Sequence, residues 1–411
     1  MKKSFDRGSV RNIDWCLKSV GINVRQTKIS INKFYQFVAI SPTITALILI
    51  SLYIIKNLKQ ANDAVIAAAY VQGTVTMLAS IYIFTRNRHK IYEILTLMDG
   101  KFYKYPDEKQ ILVEFPEFLR EENSLKISVL IVGYEFFGFS LALVSPIFAY
   151  LLTGVYETTS IYPAWYPWGE NGTLIQITNT CIQFSGCVTG FWIFYIDQIL
   201  IASITIELMR QYRRLGAALS NIQSRTGTAV MKSMRCNSVN FVGYSCSFES
   251  KYSDVFRENI RHCIMHYQRL WKLFDLFEPW FSIFYSIELS LAMATLALVF
   301  YNLLTAWNPS MLLSVIGSAL NVLGNLFSRC IIGEIFAEMN TGIKNTIFYE
   351  INWWELSTDN RNLLILLHQM STRIYTLKAC SIYTASYYTF SQLLRVSYSF
   401  VNIIRTSLIK K

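Results

Sequence analysis

Uncharged apolar runs, each long enough to cross a lipid bilayer, recur along this chain and are separated by polar, basic stretches. A helix needs about 20 apolar residues to cover the roughly 30 Å hydrocarbon layer. Residues 34–55 and 64–85 form two such runs, and "RNRHK" at 86–90 stops the second. A third covers 136–155, after Glu135, and a fourth covers 174–196, ending at Asp197. Residues 289–328 contain no charge and are divided by "AWNPS". Asn308-Pro309 is a turn signal, so this block predicts two helices joined by a tight hairpin. Glu288 and Arg329 bound it. The last run, 379–404, carries Arg395 and several hydroxyls among its apolar residues. It predicts a seventh helix that faces something other than lipid, because polar groups in hydrocarbon are costly. The pattern as a whole predicts an all-α membrane protein with seven transmembrane helices.

Helical periodicity also continues outside these runs. "IELMRQYRRLGAALSNI" and "FRENIRHCIMHYQRLWKLFDLF" repeat apolar residues at helical spacing and predict polar-side continuations of spans four and five. The Ser-, Gly- and Asn-rich stretch between them reads as a loop. After span six comes an aromatic knot at Tyr349, Trp353 and Trp354, then an amphipathic helix. Extended helices must bury their apolar faces, which predicts a compact anchor bundle that also joins subunits. The expected organisation is an N-terminal segment at 1–33, spans one to four at 34–206, and helical extensions with a loop at 207–288. Spans five and six follow at 289–328, an anchor segment at 329–378, and the seventh span with the C-terminus at 379–411.

Charge fixes the expected orientation. The 411 residues carry 38 Lys and Arg against 27 Asp and Glu, a formal net charge of +11. With the N-terminus inside, the predicted cytoplasmic segments hold 32 of the 38 cations, the asymmetry that the positive-inside rule describes. The excess charge thus belongs to membrane topology and not to nucleic acid. The sequon Asn171-Gly172-Thr173 falls between spans three and four, on the side where a glycan must face. An N-terminus inside and a C-terminus outside argue against a G-protein-coupled receptor, whose N-terminus is outside. A transporter would show matched internal repeats or broken helices, and neither is visible. Residues 1–33 lack the apolar core of a cleavable signal, so the first span is expected to act as its own insertion signal.

Of the chemistry-bearing residues, the eight cysteines form no CxxC pair, so no disulfide framework or zinc site is expected. His262 and His266 stand four apart on a predicted helix without a matching carboxylate or cysteine set, which favours packing over a metal. No nucleophile elbow, phosphate loop, paired catalytic carboxylates or HExxH occurs. The expectation is a non-enzymatic protein without cofactor or metal.

Four stretches then resemble one family. "CIMHYQRL" leads into span five, "CIIGEIFAE" closes span six, "IFYEINWWEL" follows, and "FSQLLRVSYSFVNIIR" ends the chain. In order and spacing they resemble the insect odorant receptors, and "YPAWYPW" at 162–168 is similar to that family's second outer loop. The resemblance implies a subunit of a ligand-gated, non-selective cation channel in the plasma membrane, four subunits around one axis. It also implies an anchor domain where subunits meet, and a partner co-receptor in a heterotetramer. The co-receptor resembles a longer chain with a much larger fourth-to-fifth loop, ending in a threonine-tyrosine and a glutamine-phenylalanine. Here Ser397-Tyr398 and Ile404-Arg405 stand in those places, so the chain looks like an odorant-tuning subunit. The same departure weakens a gustatory-receptor-like alternative.

The resemblance also assigns roles. A pore-lining seventh span would present Leu394, Ser397 or Tyr398, Val401, and Ile404 or Arg405 along one stripe, with the gate at Val401. A small volatile ligand would bind in the outer half of the bundle. The expected lining is Ala69, Tyr70, Gly73, Phe137, Ser140 and Val144 on spans two and three, then Ile177, Cys181, Phe184, Tyr301, Val315 and Ser318 on spans four to six.

Overall fold

The computed structural model describes residues 7–25, 30–57, 61–100, 102–111, 133, 162–169, 172–235, 244–305, 309–372, 376–380 and 382–409. The predicted third span and the sequon Asn171 lie outside these residues. A short helix α1 (Gly8–Ser19) precedes α2 (Ser30–Lys56), α3 (Ala61–Arg86) and α4 (Arg88–Asp99). Two very long helices dominate the rest: α5 (Thr173–Ser220) and α7 (Tyr244–Thr305), with α6 (Ile222–Arg235) between them. Helix α8 (Pro309–Asn345) ends in a π-helical turn, Thr346–Glu350, and is followed by α9 (Thr358–Thr372) and α10 (Tyr387–Ile409). Among the described residues, four helices are long and apolar enough to cross a membrane: Phe34–Lys56, Thr173–Ser220, Phe248–Leu298 and Ala319–Glu350.

The length of α5 and α7 follows from their pattern. Their 48 and 62 residues give roughly 70 and 90 Å of helix, two to three times what the hydrocarbon layer takes. Beyond the uncharged runs each keeps an apolar stripe. On α5 this is Leu208, Tyr212, Leu215 and Leu219; on α7 it is Phe256, Ile260, Cys263, Tyr267, Leu270, Phe274, Phe277 and Phe281, all buried. Spacings of three and four keep these side chains on one face. The stripes pack on each other, on α4 and on α6, making a core that continues from the apolar bundle into its basic end. Helix α1 seats Val10, Ile13 and Leu17 in the same core. It leaves Trp15 edge-on to Trp192, with ring centroids 5.9 Å apart.

Where the uncharged runs stop, three charges meet. Arg329 on α8 donates from Nη2 to Asp197 Oδ2 on α5 (2.6 Å) and from Nε to Glu288 Oε2 on α7 (3.2 Å). Arg329 and Asp197 are wholly buried and Glu288 nearly so. The ring of Phe284 lies 5.2 Å below the guanidinium. One level away, the Gln198 amide donates to Asn325 Oδ1 (2.9 Å). The sequence marks each of these charges as the end of a span; the fold joins the three ends into one ion cluster. Removing Arg329 would leave two buried carboxylates without their counter-charge, a loss of about 3–5 kcal/mol.

The seventh helix begins later than its apolar run predicts. Residues 379, 380 and 382–384 are not helical: Lys378–Ala379 and Tyr383–Thr384 pair as a two-rung antiparallel hairpin. Cys380 sits in the left-handed region (φ 49°), and its N–H donates to Ser286 Oγ on α7 (2.7 Å). This two-rung pair is a local departure inside an all-α fold. Its closing strand lies against α8 at Gly333, where a Cβ would overlap the Ala385 carbonyl. Gly333→Ala should therefore unseat the hairpin and lower stability by about 1–3 kcal/mol, read as a fall in the unfolding temperature of purified chain. Gly342→Ala, on the same helix but facing open space, should be neutral or stabilising.

Candidate functional site

Helix α10 is positioned by what precedes it. The Tyr387 N–H, one of the donors left over at a helix start, is accepted by Glu334 Oε1 of α8 (3.0 Å). Ser386 Oγ accepts the Thr389 N–H (3.2 Å) as an N-cap. Phe327 of α8 packs on Tyr387 and Phe390, with centroids 6.0 and 5.3 Å apart. One face of α10, carrying Thr389, Leu393 and Ser397, is buried against the bundle. The other carries Ser391, Leu394, Arg395, Val396, Tyr398 and Ser399, with Tyr398 65% exposed. Of the predicted pore stripe, Leu394 and Tyr398 share the open face, while Ser397 turns away to the packed one. Val401, Ile404 and Arg405 belong to the same helix, and their side chains lie outside the described residues.

At the opposite end of the bundle, the segment 162–169 folds over α2, α3 and α5. Tyr162 joins Ala46, Leu49, Ile50 and Ala67 in a second apolar cluster, and Tyr70 packs against its ring at 6.1 Å. Helix α5 meets this cluster with a stripe of small and polar residues: Asn179, Gln183, Gly186 and Gly190, all buried. Asn179 Oδ1 accepts from Trp168 Nε1 (2.8 Å), its carbonyl accepts from Tyr166 Oη (3.3 Å), and Gln183 Nε2 donates to the Tyr162 carbonyl (3.3 Å). Gly186 lets α5 approach α2, since a Cβ there would lie 3.2 Å from the Ala46 Cβ.

The predicted pocket residues divide accordingly. Tyr70 is in the aromatic cluster, and a side chain at Gly73 would meet nothing within 4 Å. Ile177, Cys181 and Phe184 lie on the exposed face of α5, away from Tyr162. Ala69, Tyr301, Val315 and Ser318 are helical with side chains outside the described residues, and Phe137, Ser140 and Val144 lie wholly outside them. Sequence reasoning missed Asn179, Gln183 and Tyr162. The signal was present in α5: polar and small residues spaced 4, 3 and 4 apart in an apolar helix mark its inward face.

The basic end is held by a strap, residues 102–111, laid across α5, α6 and α7. Asp107 receives a fork from Arg225 Nε and Nη2 (2.7 and 2.8 Å), Arg214 pairs with Glu108, and Arg269 Nη1 donates to the Phe102 carbonyl (2.7 Å). The two histidines meet the strap's tyrosines: Tyr103 Oη lies 2.6 Å from His262 Nδ1, and Tyr105 Oη 2.8 Å from His266 Nδ1. His266 Nε2 faces Gln211 Oε1 at 3.2 Å. That oxygen only accepts, so Nε2 carries the proton and Nδ1 accepts from Tyr105: one neutral tautomer satisfies the site. The histidines are packing residues here. Among the described residues no group of three metal-ligating side chains comes together. The aromatic residues after α8 do not close on themselves as a knot. Phe348, Tyr349 and Trp354 are more than half exposed, and Phe348 and Trp353 border a hollow of about 240 Å³ with Leu364, Ile365 and His368.

A helical bundle with extended basic-side helices, ending in a hairpin-capped helix with one open face, can be compared directly with known proteins. The model of the seven-transmembrane odorant receptors matches residues 57–398. The chain belongs to the insect odorant receptor family. Putative odorant receptor 69a, isoform B, of Drosophila melanogaster is 21% identical over 243 residues, 59% of this chain and 54% of that protein. The matched part thus spans about half the length of that relative. The insect olfactory receptor OR5 from Machilis hrabei superposes with a TM-score of 0.73 in complex with eugenol, covering 97% of each chain at 10% identity. A second structure of the same receptor superposes equally well, with a TM-score of 0.73 over 96% of this chain and 97% of the other. The fold is therefore the all-α, multi-pass membrane fold seen in that family.

His266 gives a pH test of the strap. Burial first, then Arg214 and Arg269, pushes its pKa down from 6.5 to about 3. As pH falls below 6.5 the unfolded chain takes up a proton that the folded chain refuses. Stability should then decline by up to about 1.4 kcal/mol per pH unit between those values. The unfolding temperature of the native chain should fall more steeply from pH 7 to 5 than that of His266→Gln, which does not titrate.

Proposed function

We propose that this chain is an odorant-tuning subunit of a ligand-gated, non-selective cation channel, and that it assembles with the family's co-receptor subunit as a heterotetramer in the plasma membrane. Its N-terminus is cytoplasmic and its C-terminus extracellular; the basic end of the bundle is then the cytosolic anchor. Seven spans are the reading, with the third in the segment before Tyr162. The observation that carries the proposal is the open face of α10. A helix held firmly at its start, with Leu394 and Tyr398 beside Ser391, Arg395 and Ser399 on its uncovered side, is poorly suited to lipid. It suits an axis where four such helices meet water, and Val401 one turn further on closes the path by dewetting. Ser397, on the packed face, is left out of the lining. The exposed Phe348, Tyr349, Trp353 and Trp354 suit contacts between anchors of neighbouring subunits.

The ligand in this reading is a small volatile organic molecule held in the outer half, beside the Tyr70–Tyr162 cluster and the Asn179–Gln183 stripe. Burying about 300 Å² of such a molecule at roughly 25 cal/mol per Å² supplies on the order of 7 kcal/mol. Association costs reduce this to micromolar or weaker binding, so shape decides selectivity. Eugenol, named with the Machilis hrabei receptor, is a reasonable first member of a test panel.

Single cysteines test the pore. In mixed assemblies with the co-receptor, Leu394→Cys and Tyr398→Cys should make odorant-evoked current sensitive to a charged methanethiosulfonate reagent, whereas Ser397→Cys should resist it. Equal sensitivity at all three positions, or at none, would remove α10 from the pore.

A further inference from the structure

The stretch of α8 at 325–334 has two engaged faces. On one, Arg329 holds Asp197 and Glu288, and Asn325 holds Gln198. On the other, Phe327 packs on Tyr387 and Phe390 and Glu334 accepts the first N–H of α10, while Gly333, one turn beyond Arg329, seats Ala385. Phe327 and Arg329 are two residues apart, so they lie on roughly opposite sides of the helix. Helix α7 repeats the arrangement: Phe284 and Glu288 face Arg329, while Ser286 receives the Cys380 N–H of the hairpin. Between these faces, Tyr285 Oη lies 3.7 Å from Cys330 Sγ. Neither α7 nor α8 can turn or slide at this level without changing the ion cluster and the seat of α10 together.

We propose that the Asp197–Arg329–Glu288 cluster is a coupling device, with Arg329 as its positioning residue: it converts displacement of α5, α7 and α8 into displacement of the hairpin and α10. This rests on the reading of α10 as the pore helix. An apolar contact between three helices permits small continuous slips. A guanidinium shared by two carboxylates is satisfied in few arrangements, and bistable elements of that kind turn small shifts into discrete ones. A ligand acts through the cluster only by favouring one arrangement over another.

The test uses the full chain, purified in lipid nanodiscs, with amide hydrogen exchange as the readout. Asp197→Leu, Glu288→Leu and Arg329→Met are combined, because apolar replacement of a whole buried cluster is often neutral or stabilising. The triple variant should unfold near the native temperature, yet residues 387–399 should exchange about tenfold faster, with no change at residues 46–50 of α2. Glu288→Gln alone should accelerate the same segment to a smaller degree, and it serves if the triple variant does not fold. Native exchange in α10, or acceleration spread evenly over the whole bundle, would overturn the proposal and leave the cluster a packing element. Ligand-free current of mixed assemblies gives a second measure: it should differ between the native chain and either variant. Absence of any current from native mixed assemblies, with or without a panel of volatile ligands, would count against the pore reading, while the exchange result still decides the coupling.

Discussion

Arg329 is wholly buried where the apolar runs end, so its charge must be met by protein groups. Everything nearby is arranged around that constraint. Two carboxylates from two other helices must come to it, which sets the heights of α5, α7 and α8 relative to one another. The long helices can then extend beyond the apolar layer in a fixed register, and their stripes of Leu, Phe and Tyr find each other in the basic-end core. The hairpin and α10 rest on the outer sides of the same two helices. The cluster thus stands between the part of the molecule where ligand is proposed to enter and the helix proposed to line the pore.

Much of this architecture was legible in the sequence because hydrocarbon tolerates few alternatives. A backbone in lipid must bond to itself, so an uncharged run of about 20 residues is a helix. The basic-side extensions were legible for a different reason: the period of three and four persists through 256–281 after the uncharged composition has ended.

What was hidden lay in pairings across the chain and in facing. Asp197 and Arg329 are 132 positions apart, and each alone looks like the polar end of a span. The 379–384 hairpin was hidden because apolar composition does not separate a short strand pair from a helix start, and only the backbone at Cys380 decides it. On α5, Ile177, Cys181 and Phe184 were placed by height in the bundle, which does not say which side of a helix they take; they lie on its exposed side. The inward side is the one with Asn179, Gln183 and two glycines. The partners of the histidine pair on the strap, Tyr103 and Tyr105, were not visible from spacing.

The attachment of the hairpin is made largely with main-chain atoms. The Ala385 carbonyl lies on a glycine, the Cys380 N–H meets a serine hydroxyl, and the Tyr387 N–H meets a carboxylate. Three positions on α7 and α8 therefore anchor the start of the last helix by its main chain, while its packed face still needs side chains that fit the bundle. A lineage built this way can vary the open face of that helix while the mount stays constant. Receptors that share a tenth of their residues can in this way keep one common frame.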